Sequence, residues 1–194
     1  QARFPVIKTL EQFQWSWPKS INRLQVQNLF RLQFVADKHN VILLGTVGLG
    51  KTHLATALGY AACLAGYSVR FATAVEVINT LAAAQRGGRL KQALDSYRKP
   101  ALLVLDELGY PPIDKTGADL LFQIISHRYE RGATIITSNR VYKKWPEIFN
   151  NDSTLTSALA LTLCAAGASA EVESLDPIKL TTHDWTGQIV TTTI

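Results

Sequence analysis

The sequence predicts an α/β fold in which a mostly parallel sheet is covered by helices on both faces. Three observations predict it. Short runs of valine, isoleucine and leucine recur along the chain, segments of helical periodicity separate them, and glycine or proline marks the junctions. Strands alternating with helices in this way build a sheet whose neighbours run in the same direction.

The elements follow in order. Residues 1–40 are a lead-in that mixes aromatic and positively charged side chains. Phe13, Trp15 and Trp17 precede Pro18, which limits helix there. Leu24, Leu29, Leu32 and Val35 recur at helical spacing, so residues 21–34 are expected to be helical. Residues 41–44 read as a buried strand ending at Gly45, and residues 51–64 as an alanine- and leucine-rich helix stopped by Gly66. Residues 68–72 are a second strand. Residues 74–84 form a helix broken by Gly87–Gly88, and residues 90–97 a shorter one punctuated by Pro100. The run 101–105 is a third strand that stops at two carboxylates. Residues 116–129 are helical as far as the Gly132 stop, and 134–137 are a fourth strand.

From Leu161 the chain turns alanine-rich and then threonine-rich, with Pro177 inside it and a weak strand signal near its end. Three parts are therefore expected: the lead-in 1–40, a core 41–160, and a divergent or frame-shifted tail 161–194.

The 194 residues suffice for one domain with its own core, or for one domain and an extension. With 47% hydrophobic and 18% charged residues, the balance is that of a globular chain and argues against disorder along most of its length. No apolar stretch approaches the roughly 20 residues of a membrane span, and no basic segment leads into an apolar run, so neither membrane nor secretion is expected. Cys63 and Cys164 lack metal-ligand spacing and fit free thiols in a reducing cytoplasm. The net charge of +5 is compatible with a nucleic-acid partner. The absence of methionine, a start residue included, is expected of a chain that begins inside a longer protein; simple under-use of a rare residue plus removal of a tag is the alternative.

Gly45-Thr46-Val47-Gly48-Leu49-Gly50-Lys51-Thr52 satisfies G-x-x-x-x-G-K-[ST] between an expected strand and an expected helix. Its glycines let backbone N–H groups turn inward as an anion nest, and the helix adds the positive end of its dipole. Lys51 would place a charge between the β- and γ-phosphates of ATP, and the Thr52 hydroxyl would supply a ligand to Mg²⁺. Asp106 and Glu107 follow the third strand, at the carboxyl edge where ligands of such sheets gather. Asp106 would hold Mg²⁺, directly or through water, and Glu107 would polarise the attacking water. Together these features place the chain among P-loop NTPases, three-layer αβα sandwiches. Asn139 ends the fourth strand, where it would touch the γ-phosphate or orient the water; a turn residue is the plainer alternative.

Four stretches resemble one family. They are residues 45–55 (GTVGLGKTHLA), 105–110 (LDELGY), 128–132 (RYERG) and 137–140 (TSNR). They are similar to the IstB helper ATPases of bacterial insertion sequences, which are AAA+ proteins related to the DnaC helicase loader and the initiator DnaA. The resemblance covers about residues 8–160, Trp145 to Phe149 included. His53, Gly109–Tyr110 and the run Arg128–Tyr129–Glu130–Arg131 narrow it beyond the phosphate loop, and His53 joins the expected nucleotide-binding set. The resemblance implies an ATP-dependent homo-oligomer on double-stranded DNA that directs a partner transposase to its target. Arg86, Arg89, Lys91, Arg98 and Lys99 cluster around Gly87–Gly88 as candidate phosphate contacts, which would give affinity without sequence reading; a solvated helix face is the alternative.

The chain also departs from that family. After Ser157-Ala158-Leu159-Ala160 the family carries an Asp-Arg-Leu box whose arginine reaches a neighbour's nucleotide, whereas here the sequence reads Leu161-Thr162-Leu163 and no arginine follows Arg140. The family's helical N-terminal DNA-binding extension is not recognisable either. Slow unaided hydrolysis is therefore expected. Three functions remain open: a transposition helper, a DnaC-like helicase loader, and a non-catalytic nucleotide-binding remnant. No lid-like basic run accompanies a substrate-pocket motif, which disfavours a small-molecule kinase.

Overall fold

The computed structural model describes residues 2–16, 21–110, 112–149, 156–157 and 188–191. Trp17, Pro18, Cys164 and residues 161–163 lie outside the described residues, as does the tail apart from its final strand. The elements are α1 (Arg23–Leu29), α2 (Gln33–Ala36), β1 (Val41–Leu44), α3 (Lys51–Leu64), β2 (Val69–Thr73), α4 (Ala74–Arg86) and α5 (Leu90–Arg98). Then come β3 (Leu102–Leu108), α6 (Lys115–Arg128), β4 (Ala133–Ser138), a 3₁₀ turn (Tyr142–Lys144), α7 (Trp145–Ile148) and β5 (Gln188–Thr191).

The strand order is β2-β3-β4-β1-β5. The first four strands run parallel, and β5 lies antiparallel beside β1. Successive side chains of a strand point to opposite faces, and here both faces are covered. Val41, Leu43, Leu102, Val104 and Ile135 join one core with α1, α2, α3 and the lead-in. Ile42, Leu44, Leu103, Leu105 and Ile136 join the other with α4, α5, α6 and α7. This two-sided burial is why the strands read as unbroken apolar runs. Each fully buried leucine, such as Leu58 or Leu103, contributes about 1.5–3 kcal/mol of transfer free energy.

Two expectations change in detail. The helix expected over 21–34 is two short helices, because Leu32 adopts a left-handed conformation (φ 59°) between them. The bend buries Leu32, Phe34 and Val35 along with Val26 and Leu29, and leaves Leu24 68% exposed. The third strand does not stop at the carboxylates. β3 continues through Asp106 and Glu107 to Leu108, with an irregularity between Leu105 and Leu108 where its register against β4 shifts.

The lead-in is tied to the core rather than trailing from it. The Phe71 N–H donates to Ala2 O at 2.7 Å on the outer strand β2, and Phe4 meets Phe71 edge-to-face at 6.0 Å. Arg128, read as part of a charged run, is 2% exposed. Its guanidinium donates to the carbonyl oxygens of Tyr97, Arg98, Pro100, Ala101 and Ala133 and to the Thr134 hydroxyl. That fan binds the end of α5 to the starts of β3 and β4. Burial pushes its pKa down to about 10, which still leaves it charged at neutral pH. Among the described residues no helix is long and apolar enough to cross a membrane.

Candidate nucleotide site

The expected phosphate loop joins β1 to α3 at the carboxyl edge of the parallel strands. α1, α4 and α6 each begin under a side-chain cap: Asn22 accepts the Gln25 N–H, Thr73 the Glu76 N–H, and Asp114 the Gly117 N–H. α3 has no such cap, and its N-cap is Gly50. The first-turn N–H groups of a helix have no partner within it, so this uncapped end carries donors and a positive dipole end open to an anion. Gly50 has φ 80°, and a Cβ there would come within 2.6 Å of Phe13 Cε2. Both facts require glycine. Phe13 in turn meets the rings of Trp15 at 5.0 Å and His53 at 5.4 Å, so the lead-in buttresses the loop.

Lys51 Nζ donates to Thr46 O at 2.7 Å, which folds its charge over the loop. Burial lowers the Lys51 pKa, and the carboxylates of Asp106 and Glu107 partly oppose that shift. The Thr52 hydroxyl donates to Asp106 Oδ1 at 3.0 Å, bringing together the two residues expected to serve Mg²⁺. Asp106 is 3% exposed. Among the described residues, no group of three or more His, Cys, Asp or Glu could hold a metal. A hydroxyl beside one carboxylate nevertheless fits Mg²⁺, which takes its remaining ligands from phosphate oxygens and water.

Glu107 is exposed on the next position of β3, with φ 59°. A left-handed conformation costs a residue with a side chain about 1–2 kcal/mol, and the strand irregularity here holds it. Gly109 follows at φ 90°, and a Cβ on it would come within 2.5 Å of Ile148 Cδ1.

A cavity of about 480 Å³ brings most of these groups together. Val47, Gly48, Leu49, Gly50, Lys51 and Thr52 line it from the loop, and Glu107, Tyr110, Thr137, Ser138 and Asn139 from the neighbouring strand ends. Asn139 Oδ1 is buried and accepts no hydrogen bond within the described residues. His53 is not among the lining groups of this cavity. Its Nε2–H donates to Thr9 O at 2.8 Å, and it lines a second hollow of about 280 Å³ with Lys8, Gln12, Phe13, Gln14 and residues 48–50. Gly45 extends the sheet instead, its N–H donating to Ser138 O at 3.2 Å.

Sequence reasoning missed Thr137, which touches both Asp106 and the Glu107 backbone. The only signal was a run of polar residues closing a buried strand, where each hydroxyl needs a partner. Tyr110, quoted only for the resemblance, lies at the cavity and is 66% exposed.

The five candidate DNA contacts are placed differently from one another. Arg86, Arg89 and Lys91 are exposed around the α4–α5 junction. Arg98 is half-buried and donates to Gln123 O at 3.0 Å, and Lys99 pairs with Asp95 at 3.1 Å.

The family model described as IstB-like ATP binding protein matches residues 1–173. The protein of Pseudomonas aeruginosa named "Insertion sequence IS21 putative ATP-binding protein" is 42% identical over 159 residues, which cover 82% of this chain and 60% of that one. The chain spans about six-tenths of the length of the first curated relatives it matches. Among solved structures, a DNA replication initiation factor superposes with a TM-score of 0.65 at 25% identity, over 78% of this chain and 46% of that chain. DnaI superposes with a TM-score of 0.64 at 20% identity, over 80% and 86% respectively, a likeness of fold.

Proposed function

This chain belongs to the IstB-like ATP binding protein family, and we propose that it is a AAA+ ATPase that assists DNA transposition. In this reading it binds ATP and Mg²⁺ at residues 45–52, assembles as an ATP-dependent homo-oligomer on double-stranded DNA in the cytoplasm, and serves the transposase of its own element. The observation that carries its nucleotide part is the Thr52–Asp106 hydrogen bond at 3.0 Å beside the uncapped start of α3.

The residues divide the work. Backbone N–H groups of 46–52 and the Lys51 ammonium hold the phosphates, and Thr52 and Asp106 hold the cation. Mg²⁺, when bound, supplies positive charge against the phosphate oxygens. Exposed Glu107 accepts a proton from the attacking water, and Asn139 orients that water or the γ-phosphate. The hollow lined by Gln12, Phe13 and His53 shares residues 48–50 with the main cavity, which suits it to the rest of the nucleotide. The substituted arginine box removes a source of transition-state charge, worth about 10³–10⁵ in rate where an arginine finger has been tested. We therefore propose ATP binding with slow unaided turnover.

The insertion-sequence names of the relatives favour transposition over a helicase loader with the same core. Nucleotide affinity and turnover of the parent, Lys51→Ala and Glu107→Gln test the reading. Lys51→Ala should lose ATP, and Glu107→Gln should bind it but turn over more slowly than the parent. A parent no faster than Glu107→Gln would instead mark a nucleotide-binding remnant, and recovery of a replicative helicase without transposase in a pulldown would favour the loader.

A further inference from the structure

One buried hydroxyl joins the two acids. Thr137 lies in β4 at 1% exposure. Its Oγ1–H donates to Asp106 Oδ1, and the same oxygen accepts the Glu107 N–H at 2.9 Å. Asp106 Oδ1 also accepts the Thr52 hydroxyl. A continuous chain of hydrogen bonds thus runs from the Glu107 backbone through Thr137 and Asp106 to Thr52.

The Glu107 backbone has particular need of an anchor. It is left-handed, and it sits where β3 loses its regular register with β4. Valine would fill the same volume and suit a buried strand, but it would leave the Glu107 N–H without an acceptor and Asp106 Oδ1 without one of its donors.

Resting on the ATPase reading above, we infer that Thr137 is a positioning residue for hydrolysis. One hydroxyl sets the Asp106 carboxylate toward the cation and holds the Glu107 peptide so that its side chain faces the cavity. Partners of metal-holding carboxylates that act at this remove typically contribute about 10- to 100-fold in metal affinity or activity.

The test compares the parent chain, Thr137→Val, Thr137→Ser and Glu107→Gln. A fluorescent ATP analogue is titrated with and without Mg²⁺, hydrolysis is followed by single turnover, and thermal unfolding identifies variants that fail to fold. Thr137→Val should bind nucleotide without Mg²⁺ within about twofold of the parent. It should lose about tenfold or more of the Mg²⁺-dependent gain in affinity and of the hydrolysis rate, and Thr137→Ser should restore both. Equal Mg²⁺ dependence in Thr137→Val and the parent overturns the inference, as does a serine variant as impaired as the valine one. If the parent is no faster than Glu107→Gln, the hydrolysis reading fails by itself, and the Mg²⁺ titration alone then decides the role of Thr137. A parent that binds no ATP overturns both.

Discussion

The ring of Phe13 lies against Gly50, close enough that a Cβ on residue 50 would come within 2.6 Å of it. The lead-in therefore sets the shape of the phosphate loop from outside. Gly50→Ala should lose about 1–2 kcal/mol to the left-handed backbone and about 1–3 kcal/mol more to overpacking against the ring. In a Phe13→Ala background, itself about 3 kcal/mol less stable, only the backbone part should remain. Urea unfolding of the four proteins measures the coupling. Strict additivity would show that Phe13 does not constrain the loop.

Arg128 predicts a large loss from a residue remote from the nucleotide. Arg128→Met leaves the carbonyl oxygens of Tyr97, Arg98, Pro100, Ala101 and Ala133 without this donor. The expected cost is about 3–5 kcal/mol, because a buried acceptor left unpaired costs about 1–3 kcal/mol, while Ala101 O keeps the Ala133 N–H as a donor. Arg128→Lys should recover only part, having three donors instead of a planar fork. The partners are neutral, so the loss should be similar in low and high salt. The folded pKa of about 10 lies below the ordinary arginine value, so the unfolded chain holds more protons between them. Its contribution is flat below pH 10 and rises above it. Denaturation of Arg128→Met within 1 kcal/mol of the parent would sink this assignment.

These features mark where the sequence was legible. β1 and α3 fall on the residues expected because Gly45 and Gly66 punctuate them and their apolar patterns are unmixed. β3 was read short because carboxylates usually end a buried strand, and no sequence signal announces an irregularity that keeps Asp106 and Glu107 inside one. The break at Leu32 was equally silent, since left-handed backbone is expected at glycine or asparagine. Arg128 sat in a charged run, and local charge does not reveal burial. Thr137 needed the register of β4 against β3 to be seen beside Asp106, and pairing across a sheet is not written in either strand alone.

Lys51 predicts a pH dependence of nucleotide binding. Burial lowers its folded pKa below the ordinary 10.5, so the free protein sheds this proton first as pH rises. Bound phosphates favour the ammonium and raise the pKa again. Binding should therefore take up a proton in the alkaline range, and affinity should fall as pH climbs toward 10.5 through the lowered value. Calorimetry in two buffers of different ionisation enthalpy reads that uptake directly. Proton release, or no exchange on the alkaline side, would show that Lys51 does not meet the phosphates.

The basic surface at the α4–α5 junction holds charges of different exposure, and DNA binding, as proposed, should follow the division. Arg86, Arg89 and Lys91 are exposed, whereas Arg98 is held by Gln123 O and Lys99 by Asp95. Each lysine or arginine that neutralises a phosphate contributes about 0.9 to the slope of log affinity against log salt concentration. Replacing Arg86, Arg89 and Lys91 together by alanine should lower that slope by roughly 2–3, by a similar amount on unrelated duplex sequences, while ATP affinity is unchanged. Lys99→Ala alone should lower it by at most about 0.9. Arg98→Ala should act mainly on stability, through the lost tie to α6. If the triple variant keeps the parent's slope, this face is a solvated helix surface.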